Sequence, residues 1–184
     1  MTLHAEALVE EWLVRNGYFL MRGIRDKMNR LGFLAVRLTE EGFEHIHCEV
    51  QVSTKPTAYI SKLSREQMVK LGVKSKTSAK LRSSEQVKDS VKAWAQITFK
   101  SDKKAAIRDA VLPEVKWEYW LVHGHVKDPN ELVCMQKEGI KLIHIRDLVG
   151  DLAGDRTRHH FSSSSAGELI ELVKLLDEQG SNLI

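Results

Sequence analysis

The stretch HIHCEVQVS, residues 45–53, alternates without a break. Ile46, Cys48, Val50 and Val52 fall on one side of an extended chain, and His47, Glu49, Gln51 and Ser53 fall on the other. A strand built this way has one face that must be buried, so it needs neighbouring strands and a layer packed against its apolar side. Its opposite face carries a carboxylate and an amide two residues apart. That pair reads either as the wet side of a half-exposed sheet or as part of a site that handles a metal ion and a phosphate. At 184 residues the chain has the length of one domain, and we take 1–184 as a single unit.

The flanking segments supply the neighbours. Ala5, Leu8, Val9, Trp12 and Leu13 recur on one helical face and predict a helix over 3–15, with Thr2 as N-cap. YFLMRGIR (18–25) and GFLAVRL (32–38) read as strands, and TEEGFE joins them to the strand at 45–53 in a three-stranded meander. SREQMVKLG is a short helix capped by Ser64 and closed by Gly72, followed by loop-like sequence. A longer helix runs from Ser84 to about Phe99, and helical character extends to the stop at Pro113. VKWEYWLVHGHV (115–126) is apolar on both faces, as a central strand is. DPN (128–130) reads as a turn, NELVCMQKEG as a helix ended by Gly139, and IKLIHI (140–145) as a strand. RDLVGDLAGD is a short helix or turn, and a last helix spans 166–178 behind a Ser165–Glu168 capping box. The order α-β-β-β-α-β-α-β-α describes an α/β protein with a mixed central sheet flanked by helices, the late β-α-β unit being parallel.

Charge is unevenly placed. Residues 54–108 hold fourteen lysines and arginines against four acids, a net +10 within a chain of net +3. A basic helical region, about 54–112, thus sits inside an acidic remainder, the electrostatic shape of a protein that meets a polyanion on one face; the plain alternative is a solvated lysine-rich surface. Two cysteines, Cys48 and Cys134, offer neither a disulfide framework nor metal-ligand spacing and read as buried hydrophobes. No apolar run approaches the roughly 20 residues of a membrane span, and the first residues lack a signal-peptide plan. The expectation is a cytoplasmic protein with no membrane partner.

This order, with its local residues, resembles the PD-(D/E)XK nuclease superfamily, the restriction-endonuclease-like fold, from the first helix through the strand at 140–145. AEALVEEWLVRNGYFL is similar to that family's opening helix and puts Glu6 at its carboxylate position. LGFLAV stands where the family carries an Asp-bearing strand, with Gly32 in place of the aspartate. CEVQVS stands where it carries Glu-Val-Lys, with Glu49 at the central metal carboxylate and Gln51 in place of the lysine. The resemblance implies catalytic positions at Glu6, Glu49 and Gln51, metal ligation by Glu49 and Glu6, and magnesium as the cofactor of an active member. Asp26, on the preceding turn, is the acid nearest in sequence to replace the missing aspartate. A hard cation needs several oxygens, and loss of the aspartate removes one ligand outright.

Three functional readings follow. The first is a nucleic-acid-binding protein whose nuclease-like site is catalytically impaired, with Lys55, Lys80, Arg82, Lys88 and Lys92 meeting phosphates and DNA preferred to RNA. The second is an active magnesium-dependent nuclease. The third is a protein-interaction module whose basic block docks an acidic partner, and a protein partner or homodimer is compatible with each. The pairs His45/His47 and His123/His125 point their rings to one side of a strand, as a metal site or a phosphate contact requires. Trp94 and Phe99 are expected in the core rather than on a base-stacking surface.

Overall fold

The computed structural model describes residues 2–26, 29–154 and 165–181. The chain opens with α1 (Thr2–Arg15), whose buried stripe is Ala5, Val9 and Leu13. Four short or medium strands follow: β1 (Phe19–Arg22), β2 (Arg25–Asp26), β3 (Asn29–Arg30) and β4 (Phe33–Thr39). Then comes β5 (Gly42–Gln51), which begins three residues before the strand predicted over 45–53 and ends two residues short of it. The segment predicted as one strand over 18–25 is divided, because β2 and β3 form a separate two-residue hairpin beside the main sheet.

Local sequence accounts for the helices of the basic region. In α2 (Arg65–Leu71) the Ser64 hydroxyl accepts from the Gln67 backbone while the Gln67 side chain accepts from the Ser64 N–H. Gly72 closes that helix in the left-handed conformation, φ 62°, where a side chain is disfavoured. The same reciprocal cap, Ser83 with Gln86, starts α3 (Ser84–Ala95). The helix expected to continue smoothly to Phe99 instead passes into a π-helical turn over Gln96–Lys100, which buries Phe99 and leaves Ile97 exposed. Next is α4 (Asp102–Val111), then β6 (Glu118–His123). α5 (Pro129–Lys137) begins inside the predicted turn: Asp128 caps the helix and Pro129 is its first residue, where a missing N–H costs nothing. β7 (Ile140–His144), α6 (Ile145–Gly154) and α7 (Ser165–Ser181) complete the described chain.

One five-stranded sheet, in the order β1-β4-β5-β6-β7, joins the N-terminal meander to the late β-α-β unit. β1/β4 and β4/β5 are antiparallel, while β5/β6 and β6/β7 are parallel. The protein is therefore mixed α/β, with helices on both faces. On one face α1 and α6 pack against Phe33, Ala35, Ile46, Cys48, Val50, Trp120 and Val122. On the other, α3, the π turn and α5 pack against Leu121 and Ile140, while Ile107 of α4 meets Leu31, Leu34 and Trp117. Trp94 and Phe99 lie in that second core, as expected, with their rings edge to face at 5.8 Å. Ile46, Cys48 and Val50 thus bury the apolar side of β5 under α1, and His47, Glu49 and Gln51 turn towards the basic helical region. No described helix is long and apolar enough to cross a membrane.

Candidate functional site

Glu49 sits in the middle of the sheet, opposite the chain that enters β4. Its Oε1 accepts from the Gly32 N–H at 3.3 Å, from the His47 ring Nε2 at 3.1 Å and from the Lys104 ammonium at 3.4 Å. The ring's proton follows from its other neighbour. His47 Nδ1 lies 3.2 Å from Arg108 NH1, and a guanidinium only donates, so Nδ1 accepts and the proton resides on Nε2, facing Glu49. His47 has no exposed surface, and burial holds its pKa below the usual 6.5; Glu49 opposes that shift, whereas Arg108 and Lys104 add to it. The rings of Phe99 and Tyr119 stand edge-on to the imidazole and fix its plane. Arg108 is anchored in turn by the Phe99 carbonyl at 2.7 Å. A relay from Arg108 through His47 to Glu49 results, with Lys104 as the cation on the carboxylate.

Gly32 is explained by the same geometry. A Cβ at that position would come within 2.6 Å of the Cys48 carbonyl oxygen and 3.3 Å of Glu49 Oε2. An aspartate cannot occupy this backbone without moving β4 away from β5. The neighbouring segment also serves Lys104, whose ammonium donates to the Arg30 carbonyl.

Glu6 belongs to a different set of contacts. It is buried on α1, where both its oxygens accept from Arg30 NH2, at 3.1 and 2.9 Å, and one also receives Arg22 at 3.3 Å. Residues 30–32 therefore lie between Glu6 and Glu49, yet each carboxylate is neutralised by its own cations. Gln51 does not join either. It is exposed at the end of β5 and lines a cavity with Lys62, Lys76, Trp94 and the π turn. The backbone of Asp26 pairs with Asn29, and its side chain lies outside the described residues.

These residues do not fit a hard divalent cation. Glu49 is already bound by an ammonium, an imidazole N–H and an amide, Glu6 by two guanidinium groups, and position 32 has no room for a third ligand. Among the described residues no three His, Cys, Asp or Glu side chains gather as a metal site would require. The histidine pairs are also separated in role: His45 stands edge-on to Trp117, whereas His123 packs against His144 and its Nδ1 meets the Gly124 carbonyl.

The basic residues divide into two groups. Lys88 and Lys92 project from the outer side of α3, exposed and without an ion pair among the described residues; Lys55 is exposed beyond the end of β5. Lys80 is exposed but donates to the Leu71 carbonyl at 2.6 Å, closing the C-terminal end of α2. Arg82 is interior. It is 5% exposed, lies over the Tyr59 ring and donates to the carbonyl and hydroxyl of Ser61, so it supports the fold rather than the surface. Lys104 and Arg108, which reach Glu49 and His47, carried only charge in the sequence reading. Their signal was positional: two cations four residues apart, on the same side of α4 as buried Ile107. The chain matches no protein-family model and no curated protein.

Proposed function

We propose that this is a nucleic-acid-binding protein with a restriction-endonuclease-like core whose catalytic site is impaired. The observation that carries the reading is the state of Glu49: the carboxylate at the nuclease position is held by Lys104 and His47, beside a Gly32 backbone that admits no aspartate. The order α1, antiparallel meander, crossover, parallel β6 and β7 supports the fold assignment. Binding is supported by the basic segment that covers the His47–Glu49–Gln51 side of β5 and by Lys88 and Lys92 on α3, exposed and without an ion pair among the described residues. Lysines in this arrangement neutralise phosphates without reading sequence, and duplex DNA is the preferred polyanion.

The test is incubation of the purified protein with single-stranded and duplex DNA and RNA, in magnesium, manganese or EDTA, scoring retention and cleavage together. Retention on duplex DNA without cleavage is expected. Metal-dependent cleavage abolished by Glu49→Ala would establish an active nuclease instead, and absence of retention at low salt would remove the nucleic-acid reading.

A further inference from the structure

Gln51 leads to a part of the molecule that the impaired site does not use. The cavity it enters measures about 350 Å³ and lies between the end of β5, the 60–64 segment and the junction of α3 with the π turn. This is within the size range of small-molecule sites. Ile60, Leu63, Ala93, Trp94 and Ile97 form an apolar wall. Lys62 and Lys76 also line it, both exposed; no carboxylate lines the cavity, and neither lysine has an ion pair among the described residues. The Gln51 amide, a donor and an acceptor together, has no side-chain hydrogen bond among the described residues.

The π turn is an independent observation. Such turns insert one residue into a helix at a cost in hydrogen-bond geometry and concentrate at functional sites. Here the turn supplies Ile97 and Thr98 to the cavity and leaves Ile97 70% exposed at its mouth. An apolar wall, an uncommitted amide and a pair of cations match the three parts of a nucleotide: a flat ring system, its hydrogen-bonding edge and its phosphate. Resting on the nucleic-acid reading above, the geometry points to this cavity as the receptor for one unstacked nucleoside monophosphate unit, with the base against Ala93 and Ile97, the exposed members of the apolar wall, its edge at Gln51 and the phosphate between Lys62 and Lys76. The unit comes either from the unpaired end of a strand or from a free nucleotide.

Calorimetric titration of the full chain with AMP and with thymidine monophosphate tests this, with adenosine and inorganic phosphate as controls. Saturable binding of a monophosphate is expected, at least tenfold tighter than either control. Lys62→Glu/Lys76→Glu should weaken it at least tenfold, and Gln51→Leu should weaken it while leaving the phosphate control unchanged. These side chains are solvent-facing, so unchanged circular dichroism will confirm that the variants are folded. A second arm compares a blunt duplex with one carrying a short single-stranded tail. Preference for the tail, lost in Gln51→Leu, identifies a strand end as the source; monophosphate binding without tail preference identifies a free nucleotide. Absence of both monophosphate binding and tail preference overturns the proposal, as does monophosphate affinity unaltered in Lys62→Glu/Lys76→Glu. Retention of blunt duplex, sensitive to Lys88 and Lys92, reports separately on the nucleic-acid reading.

Discussion

At position 32 the backbone entering β4 approaches β5 so closely that even a methyl group meets the Cys48 carbonyl. Gly32→Ala should therefore destabilise the protein by about 1–3 kcal/mol, the usual cost of overpacking, seen as a lower unfolding midpoint in urea. An unchanged midpoint would show that the strands part easily and would reopen the site to an aspartate. His47 gives a second prediction. Burial lowers its pKa below 6.5 in the folded protein, and His123 is lowered in the same direction by its own burial. The unfolded chain then takes up protons first as pH falls. The stability contributed by these neutral imidazoles is complete above pH 6.5 and is lost as pH drops below that value through their folded-state pKa values. The thermal midpoint should fall on acidification below pH 6.5, with a shallower fall in His47→Gln; equal slopes in both proteins would remove His47 from the linkage. Glu49 was legible in the sequence because alternation singles out its face of the strand. Its partners were not, since Lys104 and Arg108 looked like any other cations of a basic segment.

The elements of the second layer are held by contacts that run across the chain. α5 is fixed to the start of the basic region by Glu131, which is fully buried and accepts from the Ile60 and Ser61 N–H groups, at 2.8 Å each, and from the Ser61 hydroxyl. Burial pushes this carboxyl above its ordinary pKa, while those donors and Arg82 favour its charged form. Glu131→Ala would leave two backbone donors and the Ser61 hydroxyl without their acceptor, and would remove the carboxylate charge that faces Arg82. A loss of about 3–5 kcal/mol is expected for such a broken buried set, measurable by denaturant unfolding; a loss below about 1 kcal/mol would mean that water replaces the carboxylate. The caps of α2 and α3 were readable because a serine and a residue three positions on decide them locally. The start of α5 was misread because Asp-Pro-Asn is equally the signature of a turn and of an N-cap followed by Pro at the first helical position. The π turn had no local signature at all; it keeps Phe99 in the core beneath α3 and β6.

For the whole molecule, the distribution of charge sets the expected behaviour towards polyanions. If exposed α3 lysines neutralise phosphates, the logarithm of the retention constant will fall linearly with the logarithm of salt concentration. Lys88→Gln/Lys92→Gln should reduce the magnitude of that slope by roughly 2, one for each lost contact. A slope identical to that of the unaltered protein would place the nucleic acid elsewhere on the surface, and binding confined to acidic proteins would favour the interaction-module reading.

The mixed character of the sheet and the face that β5 buries follow from local periodicity, whereas the strand order came from the tertiary structure. A two-residue alternation and a helical stripe are satisfied by neighbours close in sequence, and the parallel crossover follows once a helix lies between two strands. Tertiary structure alone decided which groups meet Glu49, that Glu6 is neutralised by Arg22 and Arg30, and that Gln51 opens into another cavity. Lys104 and Arg108 lie 55 and 61 residues from the side chains they contact. Which of fourteen cations reaches the half-buried Glu49 carboxylate is set by how α4 packs on the sheet, a choice that no spacing along the chain encodes.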